Sequence, residues 1–187
     1  MPATTAATAT PVRTWKIDPS HSAVEFSARH LMITTVKGQF AEFDGTVSFD
    51  PAAPATGSAQ VTIAAASITT RSVDRDAHLR SPDFLDVEQF PSISFVSTGV
   101  EEPSADGTRF TVVGDLSIHG VTRQVRLATT FEGQGNDPWG NARVAFLATT
   151  TIDRRDFGLV WNAALESGGV LVSNEIKLTL DVQAIGA

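Results

Sequence analysis

The chain has 187 residues, of which 42% are hydrophobic and 19% charged, and its formal net charge is −7. This composition is typical of a globular protein with one core and is unlike that of a disordered or fibrous chain. The chain is acidic and lacks the clustered Lys and Arg that nucleic-acid binding requires. It contains no cysteine, which excludes disulfides and thiolate metal sites.

The N-terminal segment differs in composition from the rest of the chain. Residues 1–13 are rich in Ala, Thr and Pro without periodicity, which predicts a flexible tail before one domain over residues 14–187. The chain starts with neither the basic nor the apolar region of a signal peptide, and no run approaches the roughly 18 apolar residues of a membrane helix. We therefore predict a cytoplasmic protein without a membrane span, although a misassigned start or a removed leader would leave the same sequence.

From Trp15 onwards, apolar and polar residues alternate with a period of two, which is typical of strands with one buried face. Turn signals such as Asp50-Pro51 and His119-Gly120 separate the strands, so we expect an antiparallel meander. Closure into a barrel would remove the exposed edges. The fold predicted is all-β, an extended antiparallel barrel of about eight strands, over Ser22 to His30, Phe43 to Phe49, Ala59 to Ala65, Ile93 to Val96, Phe110 to Ile118, Val121 to Phe131, Val144 to Ile152 and Ile176 to Val182.

One segment interrupts the alternation. Residues 67–91 combine Ser and Thr capping candidates, a charged stretch and two prolines, which predicts a short helical excursion between strands. Excursions of this length in a compact domain are usually functional, as lids or mouths of a site.

Small residues on the inward faces bear on whether the barrel is hollow. Ala28, Gly45, Ala59, Ala65 and Gly114 lie on apolar faces beside Phe and Leu, which is consistent with room for a ligand. Small residues in strands also permit bulges and tight bends, so this feature alone leaves a hollow and a filled barrel open.

A series of sequence motifs extends along most of the chain. The blocks, in order, are Trp15 to Ser22, Val24 to Phe26, Arg29-His30, Gly38 to Phe40, Phe43 to Gly45, Ser67 to Thr70, Arg75 to Leu79, Ser81 to Phe84, Phe90-Pro91, Gly114 to Thr122 and Ile152 to Gly158. Taken in this order, they resemble the YceI-like family of polyisoprenoid-binding proteins. The resemblance implies a lipocalin-like barrel with an isoprenoid chain in its apolar interior. It also implies that relatives are often periplasmic or secreted, in contrast to the cytoplasmic prediction above.

Candidate ligand contacts combine aromatic residues on the strands with polar residues near a mouth. Guanidinium groups such as Arg75 and Arg154 would suit a phosphate or quinone oxygen, but local pairing of Arg75 with Asp76, or bonds from Arg154 to carbonyls, would serve structure alone. Trp161 and Asn162 would line the opening or pack at an edge. The predicted ligand-binding residues are Phe26, His30, Phe43, Arg75, His78, Phe84, Phe110, Leu116, Phe146, Arg154, Trp161 and Asn162.

We therefore predict a binding protein that holds a long apolar lipid for storage, transport or sequestration. An isoprenoid quinone or isoprenyl phosphate is the expected ligand, with no cofactor, metal or catalytic residue and with a homodimer possible. The alternative is a small hydrolase or isomerase, which requires a histidine and a carboxylate facing the cavity. The four histidines, none in a metal-like pair, are His21, His30, His78 and His119.

Overall fold

The computed structural model describes residues 13–166 and 168–186. Apart from Arg13, which begins the first strand, the predicted tail lies outside the described residues. Within them the strands are β1 (Arg13–Ile17), β2 (Ala23–His30), β3 (Thr34–Phe40), β4 (Phe43–Phe49), β5 (Ser58–Ala64), β6 (Ile68–Thr69), β7 (Ser92–Glu101), β8 (Arg109–Ile118), β9 (Val121–Asn136), β10 (Ala142–Asp153) and β11 (Val172–Gly186), with one α-helix, α1 (Val73–Arg80).

The strands form a closed antiparallel barrel. Eight of them follow one another as β1-β4-β5-β7-β8-β9-β10-β11, and pairing of β1 with β11 closes the ring. The remaining three strands lengthen the barrel at one end. There β2, β3 and β6 pair side by side, as continuations of β1, β4 and β5 respectively. The predicted closed eight-stranded barrel is therefore confirmed, and closure gives each of the eight strands of the ring a partner on both sides.

The junction between β1 and β2 shows how one long strand is divided. Asp18 precedes Pro19, and its carboxylate accepts hydrogen bonds from the Ser20 amide at 3.0 Å and from the Arg143 guanidinium at 2.8 Å. Bonds from Ser20, Arg143 and His21 hold the pKa of Asp18 well below its usual range. The short 3-10 turn Pro19–His21 is thereby fixed to β10, and both halves of the strand pair with β11.

The sequence patterns missed β1, β3 and β6. In β3, Gly38 stands where the alternation would place an apolar side chain, and the ring of Phe26 occupies the space that its Cβ would fill. The strand therefore lacks one of its inward apolar residues, because the neighbouring strand supplies the bulk at that point. The alternation of apolar and polar residues in β3 was therefore too weak to predict the strand, because Phe26 on β2 supplies the missing apolar side chain.

The excursion after β6 contains α1 and is attached to the barrel by polar bonds as well as by buried apolar side chains such as Phe84 and Leu85. Arg80 donates to the carbonyls of Ala66 and Ile68, both at 2.7 Å. The buried Asp76 carboxylate accepts from the Thr70 amide and hydroxyl, and Arg75 donates to Thr70 as well. Arg75 and Asp76 thus bond to a common residue, whereas the sequence suggested a pair between them. No helix within residues 13–166 and 168–186 has the length and apolarity needed to cross a bilayer.

Candidate functional site: an apolar cavity inside the barrel

A cavity of about 280 Å³ extends along the barrel interior, and almost all of its lining is apolar. All eleven strands contribute side chains, since each alternates inward apolar and outward polar residues. Val24, Phe26 and Ala28 on β2 line it, as do Leu178 and Leu180 on β11.

Phenylalanines surround the end of the cavity near the start of β1. The ring of Phe49 lies 4.9 Å from that of Phe146, 5.0 Å from that of Phe131 and 5.7 Å from that of Phe110. The Trp15 indole donates to the Phe49 carbonyl at 3.3 Å, which fixes the strand that carries the central ring. We call this the aromatic end of the cavity.

The opposite end, called here the helix end, is covered by side chains from the excursion and from the segment after β10. Leu79, Phe84, Leu85 and Leu159 line the cavity there. The polar bonds described above fix the excursion that carries Leu79, Phe84 and Leu85, whereas Leu159 lies on the segment after β10. The helix end is therefore built from α1 and loops, whereas the aromatic end is built from strands.

Among the cavity-lining residues in the described part of the chain, Arg154 is the one cation, and it is only 3% exposed. Its guanidinium donates to the carbonyls of Leu159 at 2.6 Å, Trp161 at 2.8 Å and Ser173 at 3.0 Å, and reaches Asn174 Oδ1 at 3.4 Å. Burial lowers the pKa of this group. The carbonyl bonds that the sequence left as an alternative are thus present, and they join the end of β10 to the beginning of β11.

Several predicted ligand contacts border the cavity, and others lie behind it. The cavity-lining members are Phe26, Phe84, Phe110, Leu116, Phe146 and Arg154. Two more, His78 and Trp161, do not line the cavity but contact the lining residue Phe84, with ring centroids 5.1 Å and 5.2 Å from that of Phe84.

The remaining predicted contacts have structural partners instead. Phe43 packs against the core cluster without lining the cavity. His30 ends β2 opposite Val172, and Arg75 donates to Thr70. The Asn162 side chain bonds both backbone groups of Val172, at 2.8 and 3.1 Å, and so fastens the segment before β11. No ligand contact is required to explain these positions.

The small inward residues divide into two groups. Ala28 and Ala59 line the cavity, and so does Ala148, which the sequence analysis omitted. At Gly114 the Phe95 ring fills the space over the backbone, so this glycine does not leave room for a ligand. Alternation had indicated the inward face correctly, but it does not distinguish a position beside a void from one covered by a neighbour.

Comparison with known proteins gives consistent matches over most of the chain. A UPF0312 protein from Pseudomonas putida strain F1 is 42% identical over 173 residues, which cover 91% of this chain and 85% of that protein. The crystal structure of Burkholderia cenocepacia BcnA superposes with a TM-score of 0.76 at 26% identity and covers 90% of this chain and 99% of that one.

A second solved structure, described as a polyisoprenoid binding domain from Saccharophagus degradans, has a TM-score of 0.70 at 14% identity and covers 94% of this chain and 99% of that domain. At this identity the likeness concerns the fold alone. The family model described as the YceI-like domain matches residues 15–184, nearly the whole described chain. The chain therefore belongs to the YceI-like family.

Proposed function

We propose that this protein binds a long apolar lipid, of the isoprenoid class, inside its barrel and thereby stores, carries or sequesters it. The observation that carries the proposal is the closed barrel with an apolar cavity to which every strand contributes. A branched hydrocarbon chain offers no hydrogen bonds, so it fits a lining that offers almost none. The ligand named for the Saccharophagus degradans domain has this chemistry.

The affinity would come from removing hydrocarbon from water. Each buried CH₂ contributes roughly 0.8 kcal/mol, so about fifteen carbons supply on the order of 10 kcal/mol before ordering costs. Because association itself costs a comparable amount, the apolar contacts must supply the main favourable contribution to the binding free energy. Selectivity among lipids then depends on cavity length and on polar groups near its ends.

For the head group we propose an isoprenoid quinone or an isoprenyl phosphate at the helix end. Arg154 is the charged group of the lining there, and most of its donors already bond carbonyl oxygens. A quinone carbonyl needs at most one of the remaining donors, whereas a phosphate would compete with the carbonyls for several.

The enzyme alternative requires a histidine facing the cavity. Among the residues that line it in the described part of the chain there is no histidine. His21 instead bonds Asp18 at an exposed turn, and His78 bonds Asp83 at 2.8 Å outside the lining. These contacts favour a binding function over general acid–base chemistry.

The test is native mass spectrometry of protein purified without detergent, followed by extraction and identification of the bound molecule. We expect a co-purifying apolar lipid in stoichiometric or substoichiometric amount. An empty protein that also fails to take up a fluorescent farnesyl analogue from cyclodextrin would contradict the proposal.

Whether Arg75 also reaches the head group is tested with Arg75→Ala, since Arg75 lies on the excursion near the helix end but outside the lining. Farnesyl phosphate and a neutral farnesyl ester are compared by displacement of the fluorescent analogue. Stronger weakening for the phosphate would show that Arg75 reaches the head group. Equal weakening would assign Arg75 to anchoring the excursion through Thr70.

A further inference from the structure

The turn between β2 and β3 exposes three consecutive apolar side chains. Leu31 is 37% exposed, Met32 55% and Ile33 73%, so exposure rises along the turn. We call these three residues the apolar tip. Monomeric soluble proteins expose single apolar side chains commonly, but contiguous exposed groups usually mark an interaction site.

The backbone of the tip makes this choice of residues more unusual. Leu31 and Met32 have φ of 52° and 58°, and the Ile33 amide donates to the His30 carbonyl at 3.0 Å. Two successive positive φ values are the mark of the hairpin turn that favours Asn-Gly, because other side chains are strained there. Leu and Met are therefore unfavourable at these positions both for backbone conformation and for solvation.

The tip is held in this exposed conformation. The Arg29 guanidinium donates to the carbonyls of Met32 and Ile33, both at 3.0 Å, and to Thr35 Oγ1 at 3.2 Å. The apolar side chains are thus presented by a braced turn. Residues that break local preferences without a gain in packing are expected at functional sites.

The tip adjoins the helix end of the cavity. The Leu31 amide donates to the Leu171 carbonyl at 2.9 Å, and the next residue, Val172, lines the cavity. On the same segment Val160 is 68% exposed and directly follows the lining residue Leu159. A lipid that passes the helix end therefore passes beside these exposed apolar side chains.

We propose that the apolar tip inserts into the surface of a lipid bilayer, and that the helix end is where the barrel exchanges its ligand with that bilayer. This inference rests on the lipid-binding function proposed above. An apolar chain too insoluble to cross water freely must come from an apolar phase, and docking there places the cavity beside its source.

The small extent of the tip favours a bilayer over a protein partner. The exposed apolar residues form a three-residue turn between β2 and β3 rather than an extended apolar face. A protein would need a pocket that matches this short turn, whereas fluid lipid can surround its side chains. The net charge of −7 gives no attraction to anionic lipids, so the contact should be apolar and insensitive to salt.

The experiment compares the wild type with Leu31→Asn/Met32→Gly, which installs the residues that the turn prefers. We expect unfolding midpoints equal to or above the wild-type value, together with at least tenfold weaker partition onto phosphatidylcholine vesicles in flotation assays. The control is Trp139→Ser, since Trp139 is 81% exposed on the β9–β10 turn at the opposite end of the barrel. This control should bind vesicles as the wild type does, in low salt and in 1 M NaCl.

A second measurement distinguishes a protein that does not dock on the bilayer from one that does not bind lipid. Uptake of the fluorescent farnesyl analogue from cyclodextrin should be equal in all three proteins, while transfer from phosphatidylcholine vesicles should be slowed at least tenfold in the tip variant only. A wild type that does not bind vesicles, or a tip variant that binds them equally, would overturn docking. A wild-type dimer that the tip variant dissociates, seen by analytical ultracentrifugation without vesicle binding, would assign the tip to a second copy instead.

Discussion

The Arg154 side chain joins three segments of the chain at the helix end of the cavity. Its donors satisfy carbonyls of Leu159, Trp161 and Ser173 in a buried environment. A planar guanidinium with five donors in a fixed arrangement suits this task, whereas an ammonium does not. The residue therefore stabilises the covering of the cavity whether or not it also contacts a head group.

Arg154→Met should lower the free energy of unfolding by about 2–4 kcal/mol, because several buried carbonyls lose charge-assisted partners. Urea denaturation measures the change, and Arg154→Lys should recover little of it. The neighbouring Arg155→Met is the control, since Arg155 is exposed and bonds Asp153; it should change stability by less than about 1 kcal/mol. Equal losses in the two methionine variants would show that the carbonyl bonds contribute nothing specific.

At Gly114 the barrel interior leaves no space for an added side chain. A Cβ there would collide with the Phe95 ring and with the carbonyl of Val96. Gly114→Ala should therefore destabilise the protein by about 1–3 kcal/mol through overpacking. Gly135→Ala on β9, where no atom lies within 4 Å of the added methyl group, should not destabilise in the same urea titration, and a similar loss there would argue against the packing explanation.

Among the elements, the β9–β10 turn is fixed by one carboxylate. Asp137 accepts from the Asn141 side chain and backbone, from the Trp139 amide and from Arg143 Nε, at 2.9 to 3.0 Å. These bonds, led by that from the Asn141 side chain, lower the pKa of Asp137 to about 2 against the opposing effect of burial. The same Arg143 bonds Asp18, so the turn and the β1–β2 junction share one cation.

The contribution of the β9–β10 turn to the free energy of unfolding should fall in acid. The folded pKa of Asp137 lies below the unfolded value of about 3.9, so its contribution to stability is present above pH 4 and is lost as pH falls towards 2. Asp137→Asn should be less stable than the wild type at pH 7, and the difference should shrink by pH 2, as measured by urea denaturation at both pH values. The exposed Asp44→Asn on β4 serves as the control; a gap for Asp137→Asn that stays constant with pH would contradict the prediction.

For the molecule as a whole, the proposed ligand should act as a stabiliser. A ligand that binds only the folded state at a hundredfold excess over its dissociation constant adds about 2.7 kcal/mol. For a domain of this size, each kcal/mol raises the melting temperature by about 2–4 °C. The farnesyl analogue should therefore raise the wild-type melting temperature by about 5–10 °C in differential scanning fluorimetry.

Adjacent positions on β10 provide a matched pair of variants for this effect. Ala148 lines the cavity, whereas Leu147 is 38% exposed and outward-facing. Ala148→Phe should fill part of the cavity and remove most of the ligand-induced rise, while Leu147→Phe should keep it. A full rise in Ala148→Phe would place the ligand outside the cavity described here.

Local sequence patterns were enough to predict the wall of the barrel. The period-two alternation is a local property, since it follows from the opposite directions of successive side chains on a strand, and it predicted the closed antiparallel fold and the inward faces of most strands. The composition of residues 67–91 likewise predicted the helical excursion, which α1 confirms. The motif order also indicated the family.

Which inward residues border empty space became evident from the folded barrel alone. Gly114 and Ala148 follow the same pattern in sequence, yet one is covered by the Phe95 ring and the other faces the cavity. The bonds of Arg154 and the exposure of the apolar tip also depend on segments far away along the chain. The physical reason is that a void is a sum of volumes contributed by many strands, whereas alternation records only the side of one strand on which each residue lies.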